Sequence, residues 1–185
     1  MASIVDSSRP VIYLYDLPKS IVTSIKINQI IKEKCGVELQ EPVQFKDCRP
    51  HFTTGLPSPF SYGIIKVDPS DFKKVAEGMK YFEISDGTDK KWQCRGLPFD
   101  RDLLGPNKIN TNIKQNVFVQ NIPKDLTAQD LENKFKELAP VKSAKISITP
   151  VQKTENGRKL KDVDDSVPPV SNGYGFVCFQ TAEDA

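Results

Sequence analysis

The stretch Asn172-Gly173-Tyr174-Gly175-Phe176-Val177-Cys178-Phe179 constrains the fold of this chain more than any other. Read as a strand, it alternates faces with period two, so Tyr174, Phe176 and Cys178 share one face. Gly175, Val177 and Phe179 share the other. One face then supplies apolar bulk to a core, and the other holds two aromatic rings out to solvent. Rings side by side on an open sheet are poor for solubility and well suited to stacking nucleobases. The plainer alternative is a buried strand of a two-layer domain whose rings all belong to the core.

An upstream segment argues against that alternative. In Val117-Phe118-Val119-Gln120-Asn121-Ile122, the residues Val117, Val119 and Ile122 read as core, and Phe118 and Gln120 as surface-facing. A helix signal follows. Thr127, with Asp130 three residues later, forms a capping-box-like start, and Leu131, Phe135 and Leu138 recur at helical spacing. Ala144-Lys145-Ile146-Ser147-Ile148 then alternates apolar with polar residues as a strand does. Strand, helix, strand, strand is the opening order of a βαββαβ domain.

The pattern also occurs near the N-terminus, more worn. Ile12-Tyr13-Leu14-Tyr15-Asp16-Leu17 alternates like the upstream segment, and Ser20 or Thr23 can cap a helix carrying Ile27, Ile30 and Ile31 that Gly36 ends. Phe60-Ser61-Tyr62-Gly63-Ile64-Ile65-Lys66-Val67 stands in the place of the octapeptide, with Ile64 where the second ring would be. Asp68-Pro69 is expected to open a second helix, Asp as N-cap and Pro at the first helical position, striped by Phe72, Val75, Ala76 and Met79. Glu83 to Gly96 supplies a closing hairpin and strand, with Trp92 and Cys94 inward and Gln93 and Arg95 outward. The chain is therefore an internal repeat with a period of about 105 residues.

The expected division is a first module at residues 10–97, a linker at 98–115 and a second module at 116–185. The linker contains Gly105, Pro106 and an Asn/Lys-rich tail, with Phe99, Leu103 and Leu104 apolar enough to dock. Residues 149–171 read as an irregular, mobile stretch. A further helix is expected from Thr181, and the sequence reads as a piece of a longer protein, the second module lacking its last helix and strand.

Composition excludes several classes. No apolar run approaches the ~20 residues that span a bilayer, so no membrane partner is expected. Cys35, Cys48, Cys94 and Cys178 lack a regular spacing, which suits a reducing compartment better than a disulfide framework. Cys48 and His51 could place two metal ligands on a turn, but zinc needs four and no second pair stands at such a spacing. Neither a metal nor a cofactor is expected. Asp164-Asp165 reads as a solvated charge pair, and no nucleophile, base and orienting group can be assembled, so the chain does not read as an enzyme. A formal charge of +2 does not by itself nominate nucleic acid.

The octapeptide fits, at seven of eight positions, the pattern that marks an RNA recognition motif, basic-Gly-aromatic-Gly/Ala-Phe-Val-x-aromatic. From about Val11 to Ala185 the chain resembles the first two RNA recognition motifs of the cytoplasmic poly(A)-binding proteins. The likeness is strongest over Asn116–Leu126, Val141–Ile148 and Asn172–Phe179, with Arg101-Asp102 in a short linker. The resemblance implies an α+β fold of two tandem ferredoxin-like modules, the second cut short, that bind single-stranded RNA, above all poly(A). It also implies a role in translation and mRNA stability, a translation-initiation scaffold protein as partner, and a cytoplasmic location that can extend to the nucleus. Mapped residue by residue, it makes Tyr13 and Tyr62 the stackers of the first module and Phe118, Tyr174 and Phe176 those of the second. Lys145 would reach out from a second strand, and Gln93, Arg95 and Gln120 would face RNA.

The departures carry information too. Ile64 replaces a ring, Asn172 replaces a basic residue, and Tyr15 stands where the family usually has Gly, adding a ring or blocking a base. Pro42 suits an edge strand. The basic groups placed on the sheet faces are Lys66, Arg95 and Lys145, with Lys108 and Lys114 nearby in the linker. Two other readings stay open: a binder of U-rich or AU-rich mRNA, and a protein-interaction module using the first module's face.

Overall fold

Two off-phase apolar residues set the geometry of both modules. In β1 (Val11–Pro18), Ile12 and Leu14 are buried, yet Leu17, of the opposite parity, is buried as well. The extra residue is taken up by a bulge between Leu14 and Leu17, where Asp16 has φ 62°. The second module repeats the device. β6 (Asn116–Gln120) turns its valines inward, Asn121 has φ 57°, and Ile122 of opposite parity is buried. Asp and Asn are the non-glycine residues that tolerate this left-handed region best.

The computed structural model describes residues 9–48, 58–99, 114–155, 158–164 and 166–185. His51, Arg101, Asp102, Leu103, Leu104, Gly105, Pro106, Lys108 and Asp165 lie outside them. Two compact units divide the chain: Met1–Phe99 with Gln152–Pro168, and Asp100–Val151 with Pro169–Ala185. The fold is α+β and ferredoxin-like, with antiparallel sheets backed by helices. No helix among the described residues is long and apolar enough to cross a membrane.

In the first unit, α1 (Ser24–Cys35) follows β1. Thr23 is its N-cap, its hydroxyl accepting the Lys26 N–H at 3.2 Å, and Gly36 closes it at φ 61° with its N–H on the Lys32 carbonyl. β2 (Gln44–Asp47) and β3 (Phe60–Lys66) come next, then α2 (Phe72–Gly78), β4 (Phe82–Ser85) and β5 (Lys91–Pro98). The sheet order is β2-β3-β1-β5-β4, so β2 is an edge strand, and Pro42 precedes it. Ile12, Leu14, Ile27, Ile31, Val75 and Trp92 form the centre of the core between sheet and helices.

Two expectations need correcting here. Asp68 does not cap α2: its carboxylate is taken by Gln40 (2.8 Å) and Arg9 (3.4 Å). Residues from Asp68 form a turn instead, and the helix starts at Phe72 with Asp71 as cap residue. The linker also starts later than expected. β5 runs through Pro98, and the Phe99 N–H donates to the Val11 carbonyl at 2.8 Å.

In the second unit β6 is followed by α3 (Ala128–Lys136), β7 (Val141–Thr149) and β10 (Val170–Phe179), and the octapeptide strand β10 lies central in the order β6-β10-β7. α3 opens with a full capping box: Thr127 and Asp130 exchange backbone-to-side-chain hydrogen bonds of 3.1 and 3.0 Å. It ends before Leu138, which is 79% exposed and not part of the core stripe. Pro140 disfavours helix at the residue before it.

Residues 149–171, expected to be irregular, contain a hairpin, β8 (Gln152–Glu155) and β9 (Arg158–Val163). Glu155 pairs with Arg158, and Asn156-Gly157, which stand between them in the sequence, lie outside the described residues. At Thr181 the hydroxyl accepts the Asp184 N–H at 3.2 Å, an N-cap contact, while the residues around it form bends.

Candidate nucleic-acid interface

Cross-strand register places the side chains of the second unit in rows. Phe176 on β10 pairs with Phe118 on β6 and with Lys145 on β7, and the three make one row. Gln120 and Tyr174 make the next. The rings are open: Phe118 is 50% exposed, Phe176 45% and Tyr174 37%. Phe118 lies between the other two, centroids 5.3 Å from Phe176 and 5.6 Å from Tyr174, tilted rather than stacked. Lys145 and Gln120 are exposed beside them. On the opposite face Val177 and Phe179 are buried against Leu131 and Ala144. The period-two reading of faces therefore holds, and the fully buried alternative does not.

Gly175 has a steric reason. A Cβ there would stand 2.5 Å from the Lys145 carbonyl oxygen and 3.2 Å from Ile122 Cδ1. Its absence lets β7 close against β10 and fixes Lys145 beside Phe176. Asn172, at the octapeptide position where a basic residue was expected, bridges two side-chain hydroxyls of β7 instead. Its amide donates to Ser147 Oγ (3.0 Å) and accepts from Thr149 Oγ1 (2.7 Å). These bonds pin the bulge between Ser171 and Gly175, where Gly173 has φ 74°.

The first unit carries a different surface. Gln44, Ile64, Tyr13 and Leu97 form the row equivalent to Lys145–Phe176–Phe118, so both the ring and the lysine of that row are replaced. Tyr13 is central, its centroid 6.1 Å from Tyr15 and 6.0 Å from Tyr62 in stacked pairs, and 5.3 Å from Phe99. All four rings are half-buried. Tyr15 lies under the Arg95 guanidinium at 5.6 Å, and Arg95 Nε meets Asp16 Oδ2 at 3.1 Å. Burial raises the Tyr15 hydroxyl pKa above its ordinary value, with Arg95 opposing.

Two of the three basic groups expected to meet RNA are thus already paired. Arg95 is held by Asp16, and Lys66 by Glu41 at 3.1 Å. Gln93 donates its amide to Glu83, whose carboxyl also pairs with Lys91 at 3.1 Å. The hydrogen bond from Lys91 leads the causes that hold Glu83 below the usual carboxylate range. Lys145 alone of the three keeps an open position on a ring-bearing face.

Sequence reasoning did not assign Phe99 or Asp16 to this face. Phe99 had a signal, an apolar residue at the start of a polar linker. Asp16 had none beyond its off-phase position in β1. Among the described residues no cluster of three His, Cys, Asp or Glu side chains could hold a metal ion.

Residues 117–159 match the RNA recognition motif family model. The match runs from β6 into the β8–β9 hairpin and supports RNA binding. Similar solved structures include a Sxl-lethal protein/RNA complex, at 13% identity and TM-score 0.37, covering 96% of this chain and 85% of that one. Another is RNA recognition domains 1 and 2 of sex-lethal from Drosophila melanogaster, at 14% identity and TM-score 0.28, covering 95% and 88%. A third is the first two such domains of the yeast poly(U)-binding protein, at 16% identity and TM-score 0.27, covering 94% and 84%. No curated protein sequence matches the chain. The RNA reading rests on the family match and the open rings.

Proposed function

We propose that the chain binds single-stranded RNA through the sheet faces of its two modules, with poly(A) as the preferred sequence. The observation that carries this reading is the row Phe118–Phe176–Lys145, two open rings beside an exposed cation. Rings of this kind stack bases of any identity, and a neighbouring lysine neutralises phosphate. Adenine would be selected by base-edge hydrogen bonds, for which the exposed Gln120 beside Tyr174 offers both donor and acceptor. The preference for adenosine, a translation-linked role with a scaffold partner, and a cytoplasmic setting rest on the resemblance to poly(A)-binding proteins.

The test is a competition between oligo(A) and oligo(U) of equal length at one salt concentration. Preference for oligo(A) supports the full reading. Equal affinity, or preference for oligo(U), moves the chain to the U-rich class with RNA binding intact. Failure of every homopolymer to bind removes the RNA assignment. The half-buried rings of the first unit, with Ile64 and Leu97 among them, favour a protein partner there as the second reading.

A further inference from the structure

We propose that Lys46 on the edge strand β2 is the phosphate-contacting residue of the first module's face, a role that rests on the RNA-binding reading. Register carries the argument. Lys46 pairs directly with Tyr62 on β3, and directly opposed residues share a face with Cβ atoms about 4.5–5.5 Å apart. Lys46 is therefore on the tyrosine face, while its neighbours Phe45 and Asp47 oppose Gly63 and Ser61 on the other. It is exposed, and its side-chain ammonium forms no ion pair or hydrogen bond among the described residues.

The competing cations of that face are occupied. Lys66 is bound to Glu41 and Arg95 to Asp16, each at 3.1 Å, and Lys91 to Glu83 at 3.1 Å. An incoming phosphate must displace a carboxylate from any of these, and from Lys46 it displaces only water and counterions. The second module provides the comparison. There, Lys145 opposes the ring of Phe176; in the first module the matching row holds Gln44 and Ile64. The ring-and-lysine pair is kept but moved two residues along the strands, to Tyr62 and Lys46. A base stacked on Tyr62 would have its phosphate beside the Lys46 ammonium.

An edge-strand lysine also discourages unwanted strand pairing. That role alone leaves the salt dependence of RNA binding unchanged, which separates the two. The experiment measures affinity of the whole chain for oligo(A) and oligo(U) across a salt series, for wild type, Lys46→Gln, Lys46→Arg and Lys66→Gln, with urea unfolding of each. The expected result for Lys46→Gln is a log–log slope shallower by about 0.7 and affinity about five-fold weaker near 0.1 M salt. Lys46→Arg should keep the wild-type slope, Lys66→Gln should barely change it, and unfolding midpoints should agree. A wild-type slope in Lys46→Gln overturns the proposal while RNA binding stands, as does an equal loss in Lys66→Gln. If the wild type binds neither RNA, the RNA reading and this proposal fall together.

Discussion

Removing the Phe176 ring should weaken RNA binding by one base stack while costing the fold less than removal of a core ring would. The ring is 45% exposed, so about half of the 1.5–3 kcal/mol attached to a fully buried Phe is at stake in folding. Loss of the tilted contact with Phe118 at 5.3 Å adds about 0.5–1.5 kcal/mol. Phe176→Ala should therefore destabilise the second unit by about 1–3 kcal/mol, below the ~3–5 kcal/mol of a core Phe. For RNA, loss of one base stack costs about 1–3 kcal/mol, roughly a five- to hundred-fold rise in Kd. Val177→Ala is the mirror experiment. That side chain is fully buried on the other face, so the fold should lose about 1.5–3 kcal/mol. The Kd should hold wherever the protein stays folded. Fluorescence anisotropy with a labelled oligonucleotide and urea unfolding measure both quantities on the same samples. A Phe176→Ala protein with wild-type Kd, or a Val177→Ala protein that loses RNA while folded, would refute the assignment of faces.

Other outcomes follow from single contacts. Thr127→Ala should cost about 1 kcal/mol at neutral pH through loss of the α3 cap, read by urea unfolding. The Thr127 side chain, then its backbone N–H, holds the Asp130 carboxyl below its usual range. That contribution is present above about pH 4 and lost as pH falls through the lowered value, so Thr127→Ala should flatten the acid limb of a stability–pH curve. Gly175→Ala should destabilise the second unit by about 1–3 kcal/mol by driving a methyl onto the Lys145 carbonyl, and amide exchange along β7 should rise. Asp16→Asn keeps a residue that tolerates φ 62° but releases Arg95 from its carboxylate. Its RNA-binding salt slope should steepen by about 0.7; an unchanged slope would show that Arg95 cannot reach phosphate.

The parts of the fold that were legible in the sequence are those set by short-range period. Tyr174, Phe176 and Val177 fell on their observed faces because strand alternation needs no knowledge of the partner strand. Thr127 and Asp130 were readable for the same reason, being three residues apart. What escaped was non-local. The carboxylates that occupy Arg95 and Lys66 lie 79 and 25 residues away in sequence, and Asp68 lost its capping role to Arg9 and Gln40 in the same way. Lys46 took its face from register with β3, which a four-residue polar strand does not announce. The β8–β9 hairpin is a different case: Asn156-Gly157 was visible, but the surrounding charge outweighed it.

Asp16 and Asn121 occupy the same station in the repeat and share a left-handed backbone, φ 62° and 57°. They differ by an oxygen against an amide nitrogen, and that difference decides whether an arginine is tethered. At β6 and β10 an arriving strand finds rings already bare. At β1 it meets a face whose Arg95 is engaged by Asp16 and whose central tyrosine is touched by Phe99. Under the proposed RNA reading, Arg95 must leave Asp16 before it meets phosphate, whereas Lys145 has, among the described residues, no carboxylate to leave.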